Sequence, residues 1–357
     1  MRSLLLKEYL QLEVADFPQP QPGPGEVLIR VAACGICGSD VHGYDGGSGR
    51  RIPPIVMGHE AAGLVAAVGT GVSRFKPGDR VTFDSTVYCG ECVFCRRGEV
   101  NLCDRREVIG VSCGEYRRHG AFAEYIAVPE RILYHLPEAM SFPEAAMLEA
   151  VSVALHAVRV TGDMKGQTAL VIGAGMIGLL TMQAARAAGA ARVIIADIDS
   201  TRLNLARTLG VDEALTLSGS ELTREILKQT GGYGADVVLE AVGRNETIAT
   251  AIDSVRKGGT VTLIGNITPK VELPLQKVVS REIRLQGTAA SAGEYPEAIE
   301  LVVSGRVQVK PLITAVAPLE EGPQWFKRLY AHEPNLMKVV LTADPNTATS
   351  ALEEAAR

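Results

Sequence analysis

A chain of 357 residues exceeds what one ordinary hydrophobic core accommodates and predicts two domains, one of them interrupted by the other. With 46% hydrophobic and 22% charged residues, the composition is that of a folded globular protein and excludes a disordered or fibrous chain. The formal net charge of −5 supplies no diffuse basic field, which argues against nucleic acid and against an anionic membrane surface as partners.

In chain order, the first signal is the apolar run Leu4-Leu5-Leu6, which Lys7 and Glu8 end well short of a secretory segment. The turn Pro22-Gly23-Pro24-Gly25 precedes Val27, Ile29 and Val31, whose period-two spacing predicts a half-buried strand. A second strand through Gly63, Val65, Ala67 and Gly69 follows the pair His59-Glu60, and Lys76-Pro77-Gly78-Asp79 turns the chain into Val81. Many short strands punctuated by Gly and Pro predict a mainly β, barrel-like lobe over residues 1–150.

Within that lobe, Cys89, Cys92, Cys95 and Cys103 crowd one loop, four of the seven cysteines in the chain. This spacing can close a tetrahedral zinc site with no open position, which is a structural site. An iron–sulfur cluster is the rival, weakened by the missing Cys-Pro ending and the long last spacer. Clustered thiols without an export signal predict a reducing, cytoplasmic setting. Cys37 and the His59-Glu60 pair are further candidate metal ligands, each weak alone because a single His or Cys is more often a packed side chain.

From Val151 onward the pattern changes to alternating strands and helices. Strands are predicted at 169–172, 193–196, 237–239 and 261–264, with helices reaching 188, over 202–209 and near 247–255. This is the pattern of an α/β, doubly wound parallel sheet of the Rossmann type over residues 151–288, with residues 289–357 returning to the first lobe through a helix around 296–303 and a strand at 339–341. The uncharged stretch 166–185 has the length of a membrane span, but glycines at 166, 173, 175 and 178 divide it into a strand and a helix.

Gly173-Ala174-Gly175-Met176-Ile177-Gly178 matches G-x-G-x-x-G between that strand and helix. The first glycine would make the tight turn, the second would let backbone approach a pyrophosphate, and Gly178 would bring helix and sheet together, with Ile177 on the same turn. The next strand ends in Asp197, placed to accept hydrogen bonds from ribose hydroxyls and to repel a 2′-phosphate, so NAD is favoured over NADP. Asp199 or Ser200 can cap the following helix, which begins near Arg202, leaving Asp197 free for the cofactor.

Together, Gly58-His59-Glu60-x2-Gly63-x5-Gly69-x2-Val72, the segment Gly35-Ile36-Cys37-Gly38-Ser39-Asp40-Val41-His42, the four-cysteine loop and the glycine fingerprint resemble the medium-chain, zinc-containing alcohol and polyol dehydrogenases, in that family's order. The resemblance covers essentially the whole chain and implies a GroES-like catalytic lobe, two Zn2+ per chain and a homotetramer or homodimer. It implies that Cys37 and His59 hold a catalytic zinc, that Glu60 is a direct or intermittent ligand, and that Asp40 orients His59. It gives Ser39 and His42 a proton relay, against a turn hydrogen bond and a solvated loop histidine as the plainer readings. Glu149 stands where simpler alcohol dehydrogenases place a second cysteine, which resembles the sorbitol and threonine dehydrogenase branches; Ala150 replaces a common proline there, and a helix-surface carboxylate is the alternative.

The function implied by the resemblance is NAD-linked oxidation of a secondary alcohol to a ketone, on a polyol, a sugar alcohol or its phosphate. An amino alcohol is the alternative. The segment Thr288-Ala289-Ala290-Ser291 lacks the Arg-Tyr pair of sorbitol dehydrogenase. Arg117, Arg118 and His119 raise the phosphate possibility against a solvated basic loop. A zinc-ribbon interaction module is disfavoured by the mixed charge flanking the cysteines.

Overall fold

The computed structural model describes residues 1–112 and 117–343. They form two compact units, one of residues 1–149, 291–299 and 309 onward, the other of residues 150–290 with 300–308. The expected boundaries thus need a second excursion, because residues 300–308 return to the second unit. Their anchor is a reciprocal amide pair in which Gln308 N donates to Gln183 Oε1 (2.7 Å) and Gln183 Nε2 donates to Gln308 O (3.2 Å).

The first unit is built on a mixed sheet whose hub is the strand Glu26–Gly35. Antiparallel neighbours Glu60–Val68, Tyr125–Pro129 and Lys338–Thr342 all pair with it. Its burial departs from the predicted alternation: Leu28, Ala32, Ala33 and Cys34 are buried along with Val27, Ile29 and Val31, because a second apolar cluster that joins Ala33 to Ala146 and Val340 adds to the main core. The core below it joins Leu4, Leu6, Ile55, Phe83, Phe122 and Phe326, each of them fully buried. A separate two-stranded ladder, Thr86–Val87 against Glu107–Val108, closes the base of the cysteine loop.

In the second unit six parallel strands are ordered 213–215, 192–196, 168–172, 235–240, 255–263, 284–287. Taken in the sequence order of the unit this is third, second, first, fourth, fifth, sixth, the doubly wound arrangement in which the first strand stands beside the reversal of direction. Its inner strands are the continuous apolar runs seen in the sequence, and Ala169, Leu170, Val193, Ile194 and Val238 are fully buried. The edge strands Glu213–Leu215 and Arg284–Gly287 escape prediction because they are short and only partly buried, so they carry neither alternation nor an apolar run. The stretch 166–185 resolves into the strand Thr168–Ile172 and the helix Met176–Ala187. Among the described residues no helix is long and apolar enough to cross a membrane.

Candidate metal and cofactor sites

The cysteine loop is arranged by its own backbone. The ligand atoms of Cys89, Cys92, Cys95 and Cys103 all lie within 4.8 Å of one another. Amides point at the sulfurs: Cys89 N donates to Cys103 Sγ (3.3 Å), Cys92 N to Cys89 Sγ (3.4 Å) and Arg105 N to Cys103 Sγ (3.4 Å). Such donors favour thiolate over thiol. The amide of Glu91 is the main cause that brings the Cys89 thiol down to about 6, whereas burial pushes Cys95 up. Four convergent sulfurs, ringed by N–H donors and unbridged by disulfides, fit one tetrahedral divalent cation and leave no place for substrate.

A second cluster draws on elements far apart in sequence. Cys37 is the N-cap of the helix Gly38–Tyr44, and its sulfur accepts the Ser39 amide (3.5 Å) while Asp40 completes the capping box. His59 ends the loop leading into the strand that begins at Glu60. The ligand atoms of Cys37, His59 and Glu60 lie within 4.8 Å of one another. His59 Nδ1 is buried without a hydrogen bond and stands 3.5 Å from Asp40 Oδ1, which leaves Nε2 as the ring's coordinating lone pair. A thiol, an imidazole and a carboxylate converging in a mostly buried place fit zinc with an open position.

Two ion pairs surround this cluster. Glu60 Oε2 takes Lys338 Nζ at 2.5 Å, with Lys338 also donating to Ile36 O (3.1 Å), and Asp40 Oδ1 takes Arg51 Nη2 at 2.9 Å. All four side chains are at most 3% exposed. Burial alone would raise the Asp40 carboxyl, but the charge His59 carries when protonated and that of Arg51 outweigh it and hold Asp40 well below the usual carboxylate range. Sequence reasoning assigned no role to Arg51 or Lys338, and nothing local marks either residue.

Glu149 is not part of the trio. It occupies the first turn of the helix Leu148–Thr161, close enough to feel the charges of His59 and Glu60, and burial pushes its carboxyl up to about 7. Its side chain is half-buried, between a ligand and a helix-surface carboxylate. Ser39 and His42 are both exposed on the Gly38–Tyr44 helix, three residues apart and so on neighbouring positions of one face.

The basic segment Arg117-Arg118-His119 makes structural contacts. Arg118 donates to Glu107 and to Glu26, each at 2.9 Å, and His119 Nδ1 accepts the Val56 amide (3.2 Å). Arg117 donates to Pro54 O. Arg117 and His119 are nonetheless exposed, as a solvated basic loop would be, and Arg118 is half-buried.

In the second unit the glycine loop has the expected form. Gly173 has φ +99°, a Cβ on Gly178 would fall 1.8 Å from Gly173 O, and Gly175 faces open space, as a backbone that must admit a ligand requires. Asp199 caps the helix Ser200–Thr208 by accepting the Thr201 amide (2.8 Å). Asp197 is not left free, however. Its Oδ2 accepts Ala174 N (2.6 Å) and its Oδ1 accepts Asp199 N (2.8 Å), so it ties the glycine loop to the second strand and presents only its remaining lone pairs. Arg202 pairs loosely with Asp199 Oδ2 at 3.5 Å. Sequence reading also missed Glu240, fully buried at the end of the fourth strand, whose carboxylate accepts Val242 N and Gly243 N at 2.9 Å and fixes the turn facing the glycine loop.

Comparison with known proteins adds a third line. Residues 23–138 match the alcohol dehydrogenase GroES-like domain and residues 177–304 match the zinc-binding dehydrogenase family. The chain is 33% identical to sorbitol dehydrogenase of Bacillus subtilis (strain 168) over 346 residues, 96% of this chain and 97% of that one. Galactitol-1-phosphate dehydrogenase from Escherichia coli superposes with a TM-score of 0.88 at 28% identity, covering 96% of this chain and 100% of that one. A Sinorhizobium meliloti 1021 protein assigned as a zinc-binding dehydrogenase and bound to NADP superposes with a TM-score of 0.85 at 31% identity, covering 96% and 98%.

Proposed function

Since this chain belongs to the zinc-dependent medium-chain alcohol and polyol dehydrogenases, we propose that it oxidises a secondary hydroxyl of a polyol or sugar alcohol to a ketone, with NAD as the hydride acceptor. The convergence of Cys37, His59 and Glu60 carries this reading. Cys37 and His59 would hold the catalytic zinc with Glu60 as third ligand, while Glu149 stands outside the trio. The four cysteines would hold a second, structural zinc.

When bound, zinc supplies a Lewis acid for the substrate hydroxyl. The residues do the rest. Asp40 Oδ1 faces His59 Nδ1 at 3.5 Å, so the carboxylate favours a proton on that nitrogen and leaves Nε2 for the metal. Lys338 balances the Glu60 carboxylate inside the protein, where an unbalanced one would be costly. Ser39 takes the hydroxyl proton and passes it to His42, one helical turn along and open to solvent.

NAD is preferred on the strength of Asp197, whose carboxylate sits beside the glycine loop and disfavours a 2′-phosphate, although a structural neighbour binds NADP. Arg118 and His119 are engaged with Glu107, Glu26 and the Val56 amide, which favours an unphosphorylated polyol over its phosphate. A cytoplasmic homodimer or homotetramer completes the reading, in keeping with the unbridged thiols of the cysteine loop.

The test is a panel of polyols, sugars, sugar phosphates, amino alcohols and primary alcohols, assayed with NAD and with NADP. Secondary-alcohol polyols with NAD should be turned over, and a metal chelator should abolish the rate. Activity confined to primary alcohols, or a preference for NADP, would contradict the proposal.

A further inference from the structure

We infer that Arg51 is a positioning residue that locks the zinc-orienting carboxylate of Asp40 and the proton-accepting hydroxyl of Ser39 into one rigid unit. The inference rests on the reaction proposed above and extends it to a residue that no motif marks.

The geometry begins with the guanidinium. Arg51 Nε donates to Asp40 Oδ1 at 3.1 Å, Nη2 donates to the same oxygen at 2.9 Å, and Nη2 also donates to Ser39 Oγ at 3.1 Å. Asp40 Oδ1 is at the same time the oxygen that faces His59 Nδ1, and Asp40 Oδ2 takes the Cys37 amide at 3.4 Å. A single cation therefore touches the carboxylate that orients one candidate ligand, caps the helix begun by the other, and holds the hydroxyl that takes the substrate proton.

The seat for Arg51 is built and not incidental. Its side chain is 3% exposed, although arginine is seldom so buried unless paired. A Cβ on Gly43 would fall 2.2 Å from Arg51 Cγ, so bare backbone on the Gly38–Tyr44 helix is what lets the arginine stem lie across it. The backbone at this point is fixed as well: Ser112 N donates to Arg50 O (3.0 Å), and Ile52 N donates to Ser112 Oγ (2.7 Å).

This arrangement has two chemical consequences. A guanidinium has only donors, so its bond to Ser39 occupies a lone pair of Oγ and turns the Ser39 O–H away from Arg51, toward the exposed side of the helix where His42 lies. The same cation cancels the charge of Asp40, leaving His59 a firmly held but only moderately electron-rich ring. Lysine could supply the charge, but its point-like ammonium cannot reproduce the planar fork that serves both partners.

The experiment compares Arg51→Met, Arg51→Lys and Arg51→Ala with the wild-type enzyme, reading metal content, the visible spectrum after cobalt substitution at the catalytic site, and the pH dependence of kcat. In Arg51→Met we expect metal retained, shifted cobalt bands, kcat at neutral pH lower by about 10–100-fold with little change in KM, and the rising limb of the kcat profile displaced to higher pH. Arg51→Lys should return the cobalt bands toward wild type while leaving a larger solvent isotope effect. Added guanidinium should rescue Arg51→Ala in a saturable manner. Unchanged cobalt bands and an unchanged pH limb in metal-replete Arg51→Met would overturn the inference. If Arg51→Met fails to fold, the guanidinium titration of Arg51→Ala decides, and absence of saturable rescue of the cobalt spectrum counts against it. Should the wild-type protein oxidise no alcohol, the proposed reaction falls, while the cobalt spectra still judge the clamp on Asp40.

Discussion

The two metal-binding clusters hold themselves together in opposite ways. The cysteine loop is local: four sulfurs come from fifteen consecutive positions, 89 to 103, the donors that surround them are their own backbone amides, and one short ladder closes the base. The Cys37, His59 and Glu60 cluster is global, because the charges that make it tolerable inside the protein come from Arg51 and, nearly 280 residues from Glu60, from Lys338. A local cluster can be rebuilt by a short stretch of chain once the metal arrives. A global one exists only after the sheet has brought its counter-ions into place.

The contrast breaks most visibly at Lys338. Replacing it by Met leaves the Glu60 carboxylate buried without its cation, and loss of one partner of such a pair costs about 3–5 kcal/mol. The penalty should appear in full in denaturant unfolding of zinc-stripped protein and shrink when zinc is restored, since the metal would then balance Glu60. In the cysteine loop, Glu91→Gln removes an exposed partner of Arg105 and should leave the unfolding midpoint unchanged. Equal effects from the two substitutions would end the distinction between local and global clusters.

A smaller effect tests the junction between local loop and global core. Asp84 is buried immediately before the ladder that closes the loop, accepting Thr86 N (2.8 Å) and Ser291 Oγ (3.0 Å). Burial raises its carboxyl to about 6 from 3.8, against the pull of those hydrogen bonds. The folded state therefore binds a proton more tightly than the unfolded state, and this contribution to stability declines as pH rises between about 4 and 6. Asp84→Asn should abolish that decline and stabilise the protein at pH 8 by up to about 3 kcal/mol, the equivalent of a two-unit shift. A chemical denaturation series from pH 4 to 8 measures it, and an unchanged slope would show that the base of the loop is blind to this charge.

What the sequence disclosed divides along the same line. The cysteine spacing, the glycine fingerprint and the apolar runs 169–172 and 193–196 are local patterns, and each folds as its pattern says. Short edge strands such as Glu213–Leu215 lack a pattern to detect. Asp197 was legible as an acid at a strand end, but not as the acceptor of Ala174 N, because that contact needs two strands side by side. Arg51 and Lys338 were invisible for the same reason: their partners are set by folding and not by spacing. In the sequence Glu60 and Glu149 compete for one zinc position, and only the fold groups Glu60 with Cys37 and His59.

One local and one global cluster should bind metal independently, and metal analysis of three proteins tests this most directly. Wild-type protein should carry about two zinc ions per chain, one from each cluster. Cys37→Ser should keep about one and lose polyol oxidation while retaining its fold, and Cys95→Ser should also keep about one but unfold more readily. Loss of both ions from either variant, or a wild-type protein that oxidises polyols without zinc, would contradict the account.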